Sequence, residues 1–268
     1  MCGVYHALRY HAGMTSQAID NAARHLIEAR RQRKLIHRLP EECRPETNED
    51  ALAIQQRVLA LMGDSIGGWK CAMPKGDNPF LAPLPGSTIR RGSSSPIVPS
   101  GRGLARIEPE VAFVIGKDLA PRPMPFSEAE VRDAVSEARL ILELIGSRYV
   151  DPNAISFPES LADSINNQGF VIGPIVAAPF EQNLEALKIR VNGPSGMLVT
   201  HEGRHPAGHP LRPLVWFADF LSSRGETLKA GWIVTTGSYA GVLEVPMNTP
   251  LSVSFGALGK LDVTFSER

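Results

Sequence analysis

The sequence lacks most of the features that would assign a class at once. Its 268 residues include only three cysteines, Cys2, Cys43 and Cys71, and no C-x-x-C pair. That argues against a disulfide framework and a zinc finger, and makes a cytoplasmic location the expectation. Charge of one sign is not in excess, since 28 Lys and Arg balance 28 Asp and Glu. A nucleic-acid binder or an anionic-membrane binder would carry a basic surplus, so neither partner is expected. No apolar run approaches the ~18 residues of a membrane span; the longest, such as Val111–Ile115, are short. The start of the chain has no continuous apolar stretch of the secretory kind. P-loop, nucleophile-elbow and G-x-G-x-x-G motifs are missing, which disfavours the chemistry each supports. The first thirteen residues, with Tyr5, His6 and Tyr10 and no periodicity, read as a poorly ordered segment.

What is plentiful is chain punctuation. Glycine (24) and proline (22) make up about 17% of the chain, against an average near 12%. With 43% hydrophobic residues this composition means a globular protein with many turns. Ser16 to about His37 reads as a helix, and its Arg30, Arg31, Arg33 and Lys34 as a solvated basic face. Asn48 and Asp50 precede a second helix, Ala51–Leu61, which Gly63 stops. Residues 1–66 therefore form a helical segment. From residue 67 short apolar runs between Gly and Pro follow a strand pattern to residue 268. The strand candidates are 68–73, 107–115, 140–145, 169–172, 188–191, 231–235, 241–245, 251–255 and 261–265, the last two as a hairpin. Helices are expected over Val131–Ala138, after a Ser127/Glu130 capping box, and over Leu211–Leu221.

Glu108 and Glu110 are the first candidates for chemistry. On a strand, residues i and i+2 face the same way. Two carboxylates about 7 Å apart can converge on a hard cation that takes oxygen ligands; a solvated polar face is the alternative. The apolar run Val111–Ile115 carries the strand into the core, where unpaired carboxylates are costly. Pro109 cannot donate to a ladder, so the strand is expected to be an edge or bulged there. Glu143 is an acid inside Leu140–Ile145 and needs a partner, either an arginine such as Arg139 or Arg148 or a metal shared with the pair. Lys70, between glycines and apolar residues, is either a surface lysine or a desolvated acid/base. His201, His205 and His209 have helical spacing, but the glycines and prolines among them forbid a helix, so a mobile loop bordering a site is expected rather than a His metal site.

These residues, taken in order, resemble the fumarylacetoacetate hydrolase superfamily, and within it the branch of 2-keto-4-pentenoate hydratases and 2-oxo-3-hexenedioate decarboxylases. The resemblance rests on Gly68-Trp69-Lys70, Arg106 to Val114 with its Glu-x-Glu, Leu142-Glu143 followed by Gly146-Ser147-Arg148, Ala162-Asp163, Gly169 to Gly173, Gly208 to Trp216, Leu228 to Gly231 and Thr236-Gly237. It implies an α+β fold, a mixed β-roll-like body like the fumarylacetoacetase C-terminal region, preceded by the helical segment. It implies Mg²⁺ or Mn²⁺ held by Glu108, Glu110 and Glu143, with Lys70 moving protons or holding an enolate oxygen. Arg148, Asn167 and Ser238 become candidate substrate contacts, with Asn166 nearby. The substrate implied is a small 2-oxo or 2-hydroxydienoate acid, and the assembly a homo-oligomer. Hydration of a 2-hydroxy-2,4-dienoate, in the catabolism of aromatic compounds, is the leading activity. The alternatives are 2-oxo-3-enedioate decarboxylation, hydrolysis of a carbon–carbon bond in an acylpyruvate, and a non-catalytic partner subunit. One departure bears on the reaction: hydratases carry an acid in the loop after the lysine strand, and Asn78 to Leu84 has none, Asp77 being nearest. Two other late Gly-Asp turns are replaced, by Gly231-Trp232 and by Asn248-Thr249-Pro250.

Overall fold

A computed structural model describes residues 13–267. The expectation for the N-terminal segment with Tyr5, His6 and Tyr10 lies outside the described residues.

Helix α1 spans Ser16–Gln32, and the Thr15 hydroxyl caps it by accepting from the Ala18 N–H. It buries Ala22, Ala23, Leu26, Ile27 and Ala29. The helix ends before His37 because Arg33 turns left-handed at φ 55° and Ile36 bridges to Tyr149. Seating Ile36 in this way outweighs one more turn through a run of like charges. Helix α2 spans Asn48–Met62; Thr47 and Asp50 form a reciprocal capping box, and Gly63 closes the helix at φ 65°.

The body then begins. In chain order it comprises β1 (Ile66–Lys75), β2 (Asn78–Pro85), β3 (Ile89–Arg91), β4 (Ser94–Ile97), β5 (Leu104–Ile115), α3 (Glu128–Ala134), β6 (Val135–Ile145), α4 (Phe157–Ala162), β7 (Asn167–Val176), β8 (Ala186–Gly193), β9 (Gly196–Arg204), α5 (Leu211–Ser223), β10 (Ile233–Thr235), β11 (Leu243–Pro246), β12 (Pro250–Phe255) and β13 (Lys260–Glu267). An eight-stranded mixed sheet has the order β2-β1-β10-β5-β6-β7-β3, with β11 also pairing β5. A second, five-stranded sheet has the order β4-β13-β12-β8-β9. The expected hairpin at the end of the chain is β12–β13. Leu26 and Ile54 of the helices share one core with Phe113, Leu142 and Phe217 of the body. No helix among the described residues is long and apolar enough to cross a membrane.

Four details differ from the sequence expectations. The helix expected over Val131–Ala138 stops at Ala134, and Val135 starts β6, which buries Ala138 and every residue from Leu140 to Ile145. Residues 78–85 form a strand despite three prolines. They lie at the sheet edge, where a missing N–H costs least. The segment containing His201 is the edge strand β9, and a turn at residues 206–209 follows it. Strand β5 is central rather than an edge. Its partner on one side changes from β11, opposite residues 104–107, to β10, opposite 112–114, and Pro109 falls in the gap.

Candidate metal centre and active-site cavity

That gap shapes the site. Where β10 and β11 leave β5 unpaired, residues 236–241 cross over it, and Tyr239 N–H donates to the Pro109 carbonyl at 3.2 Å. Glu108 and Glu110 share one face of β5. Antiparallel pairing sets Glu143 of β6 directly opposite Glu108. Ligand atoms of the three carboxylates all lie within 4.8 Å of one another. Lys70 reaches the cluster from β1, because β10 bridges β1 and β5: Lys70 pairs with Thr235, and Thr235 with Ala112. Ala112, Ile141, Phe170 and Ile233 pack as a small apolar cluster, and the strand registers set it beside the carboxylates.

The polar partners are specific. Lys70 Nζ donates to Glu143 Oε1 at 2.5 Å and to the Ile165 carbonyl at 3.1 Å. Asn167 Nδ2 donates to the same Glu143 oxygen at 2.9 Å. Glu110 accepts from the Thr235 hydroxyl and, at 3.0 Å, from Gly237 N–H. Glu110 and Glu143 are 2% and 1% exposed. Burial, and then the Glu143 charge, pushes the Glu108 carboxyl up to about 7 despite Lys70 and Arg106. Burial, with Glu143 and Glu108 behind it, pushes Glu110 up to about 8. Burial works against the Lys70 ammonium, but the charges of Glu143, Glu108 and Glu110 outweigh it and raise its pKa. Three carboxylates against one ammonium leave two negative charges when all are ionised. A divalent cation balances that deficit, and an all-carboxylate donor set suits a hard ion. The residues therefore fit a divalent metal.

A strained turn braces the site. Ser164, Ile165 and Asn166 have φ of 58°, 48° and 63°. Three successive non-glycine residues in the left-handed region cost about 1–2 kcal/mol each, and a β-branched residue there is an outlier. Arg148 holds the turn at both ends: its guanidinium donates to the Asp163 carbonyl before it and, at 2.8 Å, to the Asn167 carbonyl after it. The Asp163 carboxylate accepts from the guanidinium Nε–H and from the Arg148 backbone N–H, and Nη1 donates also to the Gly146 carbonyl at 2.6 Å. Strain of this kind gathers where a carbonyl must point into a site, and here the Ile165 carbonyl meets Lys70.

The carboxylates and Lys70 open into a cavity of about 330 Å³, walled by Ala72, Met73, Phe80, Pro206 and Gly237 and bordered by Ser238 and Lys75. Of the residues expected at the site, Lys70, Glu108, Glu110, Glu143 and Ser238 line it. Ser238 directs its hydroxyl to the carbonyls of Pro109 and Gly241, at 3.3 and 3.2 Å. Asn167 sits behind Glu143. Arg148, expected as a substrate contact, does not line the cavity, because its guanidinium is taken up by Asp163 and backbone carbonyls. Asp77, the acid nearest the departure after β1, lies in the exposed β1–β2 turn outside the cavity. His205 is buried, and burial first, then His209, lowers its pKa to about 4; its ring packs on Tyr239. Among the described residues the one cluster able to hold a metal is the three glutamates. Sequence reasoning missed Thr235 and the Ile165 carbonyl. Thr235-Thr236-Gly237 after a late strand was the available signal for the first, and nothing in the sequence marks the second.

The fumarylacetoacetate (FAA) hydrolase C-terminal family profile matches residues 62–264. The chain belongs to this family. A 2-keto-4-pentenoate hydratase of Paraburkholderia xenovorans is 27% identical over 263 residues, 94% of this chain and 96% of its own. A 2-keto-4-pentenoate hydratase of Paraburkholderia phymatum is 28% identical over 261 residues, 93% of this chain and 98% of its own. The fold is shared with 4-oxalocrotonate decarboxylase from Pseudomonas putida G7, solved with magnesium and adipate: TM-score 0.78, 20% identity, 94% of this chain and 98% of that one.

Proposed function

We propose that the protein is a divalent-metal-dependent lyase that adds water to a 2-hydroxy-2,4-dienoate, with Glu108, Glu110 and Glu143 as metal ligands and Lys70 as the proton-handling residue. The observation that carries this reading is the convergence of three carboxylates, two buried and one half-buried, and one charged lysine on one cavity. The full-length likeness to hydratases supports it. When bound, Mg²⁺ or Mn²⁺ supplies the positive charge against which a dienolate oxygen develops.

The chain's own residues do the rest. Lys70 has three N–H donors, of which Glu143 and Ile165 take two. The third holds a proton at Nζ for the C2 oxygen or for carbon. Thr235 and Gly237 N–H keep one Glu110 oxygen fixed and leave the other for a ligand. Asn167 orients Glu143 in the same way. Met73, Phe80 and Pro206 shield the substrate's carbon chain from bulk water. Lys70, Lys75 and the three glutamates are the only charged groups among the described residues that line the cavity. Proton transfer during water addition therefore falls to Lys70, in place of the acid that the β1–β2 connection lacks.

Decarboxylation of a 2-oxo-3-enedioate is the second reading, favoured by the fold shared with the decarboxylase; it passes through the same kind of dienolate. The deciding experiment follows the dienol chromophore and released CO₂ with the Mg²⁺-loaded protein. Chromophore loss without CO₂, abolished by EDTA and by Glu108→Gln, is expected. An unchanged chromophore across a panel of dienoates overturns the proposal.

A further inference from the structure

We propose that Lys75 is a specificity-determining residue that selects substrates carrying a second carboxylate, at the end remote from the 2-oxo or 2-hydroxy acid head. The inference rests on the reading of this cavity as a site for such acids.

Strand geometry is the first observation. Lys75 follows Lys70 by five residues, and on a regular strand that odd spacing would send the two side chains to opposite faces. The β1–β2 ladder is not regular. Ala72 pairs with Phe80 and Lys75 with Asn78, so three steps on β1 oppose two on β2. The extra residue is a bulge, a device that re-aims side chains next to functional sites. It restores Lys75 to the side of Lys70, and both line the same cavity.

Anchoring is the second observation. The hairpin tip turns at Gly76, with φ +60°, and Asn48 Nδ2 at the start of α2 donates to the Asp77 carbonyl at 3.1 Å and to Asn78 Oδ1 at 3.3 Å. The backbone that carries Lys75 is thereby tied to the helical segment.

Charge is the third. Lys70, on the floor, is paired with Glu143. Lys75, on the rim, has no carboxylate partner among the described residues; its ammonium rests 5.8 Å from the centre of the Phe80 ring, itself a wall of the cavity. The rim therefore offers one unpaired cation and no anion, against a floor that binds the acid head. The two lysines are separated by at most about 16 Å of strand, and both line the cavity, one on its floor and one on its rim. An extended acid with a carboxylate at each end engages both; an acid ending in methyl or vinyl leaves Lys75 idle. The assignment covers water addition and CO₂ loss alike, since it concerns the end of the molecule that does not react.

The test uses two unreactive acids that differ only at the far end, 2-oxoadipate and 2-oxohexanoate, titrated calorimetrically into the Mg²⁺-loaded full chain. The wild type is expected to bind 2-oxoadipate about ten-fold more tightly, the lower range for a charge-assisted contact. Lys75→Met should bring the ratio within two-fold, and Lys75→Arg should keep most of it. Equal binding of the two acids by the wild type, or a ratio that Lys75→Met leaves intact, overturns the assignment while the reading of the cavity stands. If neither acid binds, the reading of the cavity fails and the assignment falls with it.

Discussion

Loading the site with Mg²⁺ should release protons, and the number follows from the environment of the two β5 glutamates. Metal ligands bind as carboxylates, yet burial holds Glu108 near 7 and Glu110 near 8 in the metal-free protein. At pH 6.5 Glu108 is then about three-quarters protonated and Glu110 almost wholly so, which gives about 1.7 protons displaced per ion. At pH 9 the figure falls to about 0.1, and affinity should rise about a hundred-fold between the two pH values. Calorimetry at each pH, in buffers of different ionisation enthalpy, counts the protons directly. The sign for stability follows from the same values. Both folded-state pKa values lie above 4.5, so the native state holds more protons than the unfolded chain. Metal-free stability should therefore fall as pH rises through 7 and 8, by on the order of 1–2 kcal/mol per pH unit near pH 7. His205 has the opposite slope only between about 4 and 6.5, and the buried thiols Cys43 and Cys71, held above their usual range, add the same sign only towards pH 9, so melts between pH 6.5 and 8 report mainly the glutamates. Mg²⁺ binding at pH 6.5 with no buffer dependence would refute the burial argument.

Other consequences can be checked with single substitutions. Thr235→Val removes a donor from buried Glu110 and should cost about 1–3 kcal/mol; a metal-free melt like that of wild type, with undiminished Mg²⁺ affinity, would contradict the role given to Thr235. Arg148→Met leaves Asp163 buried without its main partner and releases the strained turn that presents the Ile165 carbonyl. Urea unfolding should show a loss of about 3–5 kcal/mol, and a loss under 1 kcal/mol would count against the bracing. Gly68→Ala would put a Cβ 2.3 Å from the Ile233 carbonyl oxygen, prising β1 from β10. A stability loss of about 3 kcal/mol is expected, together with displacement of Lys70 and lost turnover; a variant that melts and turns over like wild type rules out the close approach.

Much of this architecture was legible in the residues, and the exceptions have physical causes. The helices α2 and α5 and the strands carrying the four central side chains could be read from caps and apolar runs. Glu108 and Glu110 could be paired because alternation along a strand needs no tertiary information. Glu143 stood out as an acid in an apolar run, but its position opposite Glu108 depends on the β5–β6 register, which no local pattern encodes. The resemblance to a family supplied the connection instead. Strands β2 and β9 carry no clear strand pattern because both are edges, one rich in proline and the other mostly exposed. Helix α3 is shorter than its sequence pattern suggests because the capping box marks a start, whereas its end is imposed by the burial of β6. Arg148 looked like a substrate contact because a cation beside a catalytic segment invites that reading. Its pairing with Asp163 and the left-handed turn that follows Asp163 exist only in the folded chain.

Three glutamates and Lys70 are proposed here to form a metal-dependent lyase site for 2-hydroxydienoates. The most direct measurement is NMR of 2-hydroxypenta-2,4-dienoate incubated with the Mg²⁺-loaded protein. Conversion to 4-hydroxy-2-oxopentanoate is expected, stopped by EDTA and reduced at least about a hundred-fold by Lys70→Met, the scale expected for loss of a proton-transfer group. Failure to consume either this dienoate or one carrying a second, remote carboxylate, or equal consumption by the Lys70→Met protein, would contradict a lyase site built on these residues.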